Sequence, residues 1–301
     1  VGDFNGIASK ADYLASLGVN RVWLTPIHPS SSYHGYDVND YYGVASKFGT
    51  MEDFTNMVKT LKSKGIDTII DMVLNHSGKN NPWFEQAIDD YIVDKQGPDS
   101  KADWYAITDE DGKYKDSYRG IYYEDNFSPS MPEFNWDSIS FREEVKNILT
   151  FWLEKGVAGF RFDAVLYFYY NNDELNGEVC RYLRECVQDD YPDVYMVGEG
   201  WTDNNTLLRD YFPSKMGTFF DFGKSVAGSN HFIRTAKGTM SGSALVSTVK
   251  SYVDSIKEAS PDSYPSFFLS NHDCDRPYAS FVDHDEYQKV TSSIIYLMPG
   301  T

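Results

Sequence analysis

The sequence predicts an α/β fold built around a parallel sheet. Three observations carry that reading. A unit of helix end, glycine, β-branched residue and apolar run occurs three times; apolar runs of strand length alternate with helical patterns; and polar residues collect where the apolar runs stop.

The repeated unit is Leu17-Gly18-Val19 before Arg21-Val22-Trp23-Leu24, Lys64-Gly65-Ile66 before Thr68-Ile69-Ile70-Asp71, and Lys155-Gly156-Val157 before Phe160-Arg161-Phe162-Asp163. Glycine just past a helix accepts the left-handed conformation that closes it. The short apolar runs that follow read as buried parallel strands. Val194-Tyr195-Met196-Val197, Thr218-Phe219-Phe220 and Ser266-Phe267-Phe268-Leu269 have the same character. Helical patterns lie near 51–64, 141–155, 174–189, 242–258 and 285–297, and strands alternating with helices of this length give a parallel sheet. Gly18 to Gly65 is 47 residues and Gly65 to Gly156 is 91. The surplus lies between Asn75 and Asp137, in a stretch rich in Asp, Gly, Pro, Ser and Tyr. Structureless loops of that length are uncommon, so it reads as an inserted subdomain. The expected division is barrel residues 1–76, insertion 77–135 and barrel residues 136–301.

Composition narrows the function classes. A net charge of −18 repels nucleic acid and anionic membranes and suits an uncharged partner. No apolar run reaches 18 residues, the length a membrane helix needs. Aromatic residues make up 16% of the chain, 23 of them tyrosine. Rings stack on the C–H faces of sugars, and core packing uses them equally well. Cys180, Cys186 and Cys274 are an odd number without metal-ligand spacing, and read as structural with no disulfide framework.

The polar strand ends are Asp71-Met72-Val73-Leu74-Asn75-His76, Gly159-Phe160-Arg161-Phe162-Asp163-Ala164, Val197-Gly198-Glu199-Gly200-Trp201 and Phe267-Phe268-Leu269-Ser270-Asn271-His272-Asp273. Ionisable groups at the C-terminal ends of successive barrel strands converge on one cleft and read as catalytic. Any one of them could instead cap a helix or pair with an arginine; three carboxylates, two histidines and an arginine together favour a site.

These segments, with Met131-Pro132-Glu133-Phe134-Asn135, are similar in order and spacing to the sequence signatures of glycoside hydrolase family 13, the alpha-amylase family. The resemblance covers nearly the whole chain and implies a (β/α)8 TIM barrel with a small domain inserted after strand 3. It implies that Asp163 is the nucleophile, Glu199 the general acid/base and Asp273 a ligand of sugar hydroxyls, in a retaining mechanism on α-glucans. Such a mechanism needs two carboxyl groups about 5–5.5 Å apart. Arg161, two residues before Asp163, faces the same way on a strand and favours the ionised nucleophile. Glu199 must keep its proton, so neighbouring carboxylates or an apolar wall are expected near it, with Trp201 nearby. His76 and His272 are expected to bind sugar hydroxyls, with a turn or cap role as the other reading for His272. Tyr36, in Tyr33-His34-Gly35-Tyr36-Asp37, is expected to stack on the sugar, with a buried structural tyrosine as its competing reading. Asn75 matches a position that binds structural calcium in many relatives.

The match departs in two places. Where many relatives carry Lys and His after the second signature, this chain has Leu166 and Tyr167, which bears on sugar contacts beyond the cleaved bond. By the same alignment the chain holds strands two to seven and lacks one and eight, so it reads as a fragment of a longer protein, with two open sheet edges when alone. Secretion or a cell-surface place is expected for a polymer-degrading parent, with the cytoplasm left open; oligomeric state is not indicated. A transglycosylase or isomerase on the same fold would share every catalytic residue. A catalytically silent binding module would have lost at least one carboxylate, and all three are present. No Gly-rich phosphate site, nucleotide motif or flavin motif occurs, so no organic cofactor is expected.

Overall fold

A computed structural model describes residues 2–225, 230–281 and 284–300; Val1 and Thr301, the outermost residues of the expected barrel segments, lie outside them. The chain divides into two compact units, Val1–Val179 with Glu185–Met196, and Cys180–Arg184 with Val197–Thr301.

The first unit opens with helices α1 (Phe4–Ala8) and α2 (Ala11–Ser16), then strand β1 (Arg21–Leu24), helix α3 (Met51–Ser63) and strand β2 (Asp67–Met72). Helix α4 (Pro82–Ile92) and the short strands β3 (Ile107–Thr108), β4 (Asp116–Tyr118) and β5 (Ile121–Tyr123) follow. Helix α5 (Ile139–Glu154), strand β6 (Gly159–Phe162), helix α6 (Asp173–Gln188) and strand β7 (Tyr195–Gly198) come next, α6 and β7 each having residues in both units. Strands β1, β2 and β6 pair in parallel, Arg21 opposite Asp67 and Asp71 opposite Arg161. The Tyr195 N–H at the start of β7 donates to the Ala158 carbonyl at 3.0 Å.

Local chemistry accounts for these elements. Thr50 and Asp53 form a capping box at the start of α3, each side chain taking the other's backbone N–H. Gly18, Gly65 and Gly156 stand at φ of 77°, 75° and 92°, closing the helices before β1, β2 and β6 as the sequence pattern requires. Phe54, Met57 and Leu61 of α3 and Phe141, Ile148 and Trp152 of α5 are buried, as are Ile69 and Ile70 of β2 and Phe160 and Phe162 of β6. Continuous burial along β2 and β6 is what a sheet covered on both faces demands.

Between β2 and α5 the chain forms α4, capped by Asn81, and an antiparallel sheet in the order β3-β5-β4. Antiparallel bridges His76↔Glu133 and Tyr105↔Phe134 tie the end of this stretch back to its beginning.

In the second unit, Val197 and Gly198 of β7 pair in parallel with strand β8 (Thr218–Phe219), whose preceding helix is α7 (Asn205–Arg209). Helices α8 (Phe222–Ser225), α9 (His231–Ala236), α10 (Gly242–Ala259) and α11 (Asp285–Tyr296) follow. Phe232, Leu245, Val249 and Val253 form the core, with Phe267, Leu269, Ile294 and Ile295 packed on it. The strand expected over 266–269 reduces to one parallel bridge, Phe220↔Ser266. The Ser266 N–H donates to Phe219 O and the Asp221 N–H to Ser266 O, and Phe267 and Leu269 pack against helices. Cys180 is buried, and Cys186 and Cys274 are partly buried.

Candidate active site

In the first unit the strand register builds the site. Asp71 and Arg161 stand side by side on β2 and β6, and Asp163 follows β6 with its N–H donating to the Met72 carbonyl at 3.1 Å. One guanidinium nitrogen, Arg161 Nη1, donates to Asp71 Oδ1 at 2.7 Å and to Asp163 Oδ1 at 2.6 Å. Arg161 and Asp71 are buried almost completely, while the Asp163 side chain keeps 11% of its surface. Bonds of this length from a guanidinium fix the orientation of both carboxyl groups. Tyr36 comes from the loop after β1. Its hydroxyl donates to Asp71 Oδ2 at 3.0 Å, and the Arg161 guanidinium lies 5.6 Å from its ring centroid. Burial pushes the Asp71 carboxyl up to about 7, with Arg161 pulling it down and Asp163 pushing it further up. Ala164, directly after Asp163, adopts φ of 48°, a left-handed conformation that costs a non-glycine residue about 1–2 kcal/mol.

The segment after β2 is pinned from several sides. The Tyr41 hydroxyl bonds the carbonyls of Val73 and His76 at 2.8 and 2.9 Å, and Trp136 Nε1 donates to the Leu74 carbonyl at 3.1 Å. His76 is buried and its imidazole is pushed down, first by that burial and against the pull of Asp163, so it is held neutral. Its Nε2 is buried, and a backbone bond to Tyr36 also works against the burial.

Asn75 Nδ2 donates to Glu133, and Asn75 Oδ1 is buried with no partner. Burial, reinforced by Glu124, pushes the Glu133 carboxyl well above the usual range. An unpartnered amide oxygen beside a buried carboxyl short of positive charge is oxygen chemistry that fits calcium. Among the described residues no group of three His, Cys, Asp or Glu side chains converges as a metal cluster, so a cation here would take its other ligands from carbonyls and water.

The second unit carries the remaining expected residues. Glu199 is buried at 7% exposure directly after β7. At Gly198 before it, a Cβ would stand 2.7 Å from the Phe219 ring and 2.8 Å from Met216, so the strand end is fitted to glycine. Trp201 is 49% exposed and stacks on Phe222 at 4.7 Å and 18°. His272 Nε2 lies 3.2 Å from Asp273 Oδ2, and the Asp273 side chain is 37% exposed. Burial first, then Asp273, Asp275 and Glu199, pushes the Cys274 thiol up, so that loop lies within the electrostatic reach of Glu199.

The first unit thus gathers Tyr36, His76, Arg161 and Asp163, and the second carries Glu199, Trp201, His272 and Asp273. Sequence reasoning missed Asp71 as a site residue, although its place opposite Arg161 is legible once the two strands are paired. It also missed Glu133 as the partner of Asn75.

The sequence profile of the alpha-amylase catalytic domain matches residues 1–301. The chain is 34% identical over 309 residues to Alpha-amylase 3 of Dictyoglomus thermophilum, covering 100% of this chain and 58% of that protein. It is 31% identical over 319 residues to a 4-alpha-glucanotransferase of Thermotoga neapolitana, covering 100% and 65%. Among solved structures it is similar to Eubacterium rectale Amy13B, with a TM-score of 0.89 and 32% identity over 99% of this chain and 60% of that one. The chain therefore spans between 58% and 65% of the length of these relatives.

Proposed function

The chain belongs to the alpha-amylase catalytic-domain family, its parallel α/β sheet being a partial (β/α)8 barrel, and from that premise we propose a retaining glycoside hydrolase acting on α-glucosidic bonds. The bonds are mainly α-1,4 links in starch, maltodextrins or related α-glucans. The observation that carries this reading is the Arg161 guanidinium held between Asp71 and Asp163 at 2.7 and 2.6 Å. It holds the Asp163 carboxyl in place and aims it, as a nucleophile must be held.

In the first step an Asp163 carboxylate oxygen attacks the anomeric carbon. The bond from that carbon to the glycosidic oxygen breaks, and the oxygen takes the proton of Glu199 as the leaving group departs. In the second step Glu199 takes a proton from water, whose oxygen attacks the same carbon and releases Asp163. Two displacements return the original α configuration. Asp273 and His272 hold sugar hydroxyls, His76 Nε2 meets another, and Tyr36 and Trp201 supply ring surfaces. A structural calcium at Asn75 and Glu133 belongs to the same proposal. It would brace the segment after β2 against the inserted stretch and takes no part in bond cleavage. Chelation is expected to lower the melting temperature, and an unchanged melt would remove the ion from the proposal.

The test is reducing-sugar release from starch, pullulan and maltotriose by the full-length protein, beside its Asp163→Asn and Glu199→Gln variants. Release that both variants lower by at least about a thousandfold supports the proposal. Longer and shorter oligosaccharides formed from maltotriose without net reducing ends would mark a transferase, the reading favoured by the glucanotransferase relative. No reaction on any substrate would sink the enzymatic reading.

A further inference from the structure

Away from the candidate active site, the second unit buries a charged cluster that the glycosidase reading does not use. Lys224 of α8 is 1% exposed and pairs with the fully buried Asp221 at 3.1 Å. Its Nζ also lies 3.7 Å from the centroid of the Tyr252 ring, on α10. An ammonium carries three N–H donors, and one carboxylate contact with one ring face does not use them all. The Tyr252 hydroxyl is buried too, with no hydrogen-bond partner among the described residues. Both side chains line a cavity of about 500 Å³ between α7, α8 and α10. A buried donor left unmet costs about 1–3 kcal/mol, so donors at a cavity wall call for an acceptor.

The rest of the lining decides which acceptor fits. Arg209 and Lys224 bring two cations, Thr206, Ser247 and Ser251 bring hydroxyls, and among the described residues no carboxylate lines the cavity. Such a wall is out of character for a chain of net charge −18, and it favours an anion. Arg209 gives Nε and Nη2 to Asp210 at 2.8 and 2.6 Å. That exposed pair is weak, and it leaves Nη1 for another acceptor. Burial pushes the Lys224 ammonium down from its ordinary value, opposed by Asp221, and an anion beside it would offset that burial. Asp221 already balances one charge, so the ligand must bring several acceptor oxygens as well as charge. A stacked sugar fits poorly, because Tyr252 is the one ring among the described lining residues and the Lys224 ammonium covers its face. We propose that this cavity binds a phosphate group, held by Lys224, Arg209 and the Tyr252 hydroxyl. The group comes either as free phosphate or as the monoester of a small molecule. None of these residues belongs to the candidate active site, so the inference stands apart from the glycosidase reading.

The test melts the full-length protein in phosphate and in chloride at matched ionic strength, with affinity read by titration calorimetry. Phosphate should raise the melting temperature in a saturable way, and chloride should not. Glucose 6-phosphate serves as the monoester probe. Tighter binding than phosphate identifies a phosphorylated small molecule, weaker binding the free ion and equal binding the bare group; each supports the site. Arg209→Ala should weaken phosphate binding roughly tenfold, and Ser251→Asp, which sets a like charge in the cavity, should abolish it. Both side chains reach solvent, so these variants should fold as the wild type does. Lys224→Met alone would leave Asp221 buried and unpaired, so it is combined with Asp221→Asn; that double variant should bind no phosphate. Equal shifts in phosphate and chloride, or phosphate binding that survives Ser251→Asp, overturns the inference, and activity on α-glucans bears on neither result.

Discussion

Asp71 and Asp163 share one guanidinium nitrogen, whose two hydrogens can serve one carboxyl each. Asp71 also takes the Tyr36 hydroxyl, which makes it the joint between the strand carrying it, the strand carrying Arg161 and the loop carrying Tyr36. Replacing it with asparagine keeps the shape but weakens its bond to the guanidinium, leaving Arg161 and Tyr36 less firmly placed. The expected outcome is a fall in kcat of roughly ten- to hundredfold with KM nearly unchanged, as small misplacements in an active site cause. Steady-state kinetics on a soluble α-glucan checks it. A KM effect alone would assign Asp71 to substrate binding, and no effect would show that Arg161 is placed without it. The sequence made Asp163, Arg161 and His76 legible because each stands in a motif at a strand end. It left Asp71 without a role because that role depends on register, and register is fixed by two strands about ninety residues apart.

At the scale of elements, the glycines separate positions of different kinds. Gly159 begins β6, where a Cβ would stand 1.9 Å from the Tyr195 carbonyl oxygen. Backbone cannot yield there as a side chain could, so Gly159→Ala must push β6 and the start of β7 apart. A loss of at least about 3 kcal/mol is expected, read as a large drop in melting temperature or as insoluble protein. Gly177 lies inside α6, and a Cβ there meets nothing within 4 Å. Gly177→Ala should stabilise by about 0.5–1 kcal/mol, and a melt of the two variants side by side checks both signs. The same contrast explains what was readable in advance. The glycines closing α3 and α5 announce themselves through the apolar strand that follows, and the long helices stand within two residues of their periodic patterns. The strand expected at 266–269 shows the limit. Its residues are apolar and aromatic enough for a strand, yet ladder pairing needs a partner in register, and among the described residues the bridge is at Ser266.

Proton linkage acts on the fold as a whole, and here two buried groups pull it in opposite directions. His28 is fully buried against Tyr41 and Trp152, and that burial holds its pKa down at about 4, opposed by a bond to the Gly43 carbonyl and by Asp40. The unfolded chain, with histidine near 6.5, therefore binds more protons than the fold between about pH 4 and 6.5, and stability rises with pH across that window, by about 3 kcal/mol in full. Asp71 does the reverse. Its folded carboxyl is raised to about 7 from an ordinary value of 3.8, so the fold holds the extra proton, and stability falls as pH rises from about 4 to 7. The windows overlap, and the two slopes oppose each other within one folding unit. Wild-type stability should accordingly change less across this range than that of either variant. In denaturant titrations between pH 4 and 7, His28→Gln should lose stability with rising pH relative to wild type, and Asp71→Asn should gain it. The double variant should return toward the wild-type slope. Parallel curves for all four proteins would mean that neither group changes its protonation on folding, and a double variant steeper than both singles would show that the two sites are coupled and do not act as independent weights.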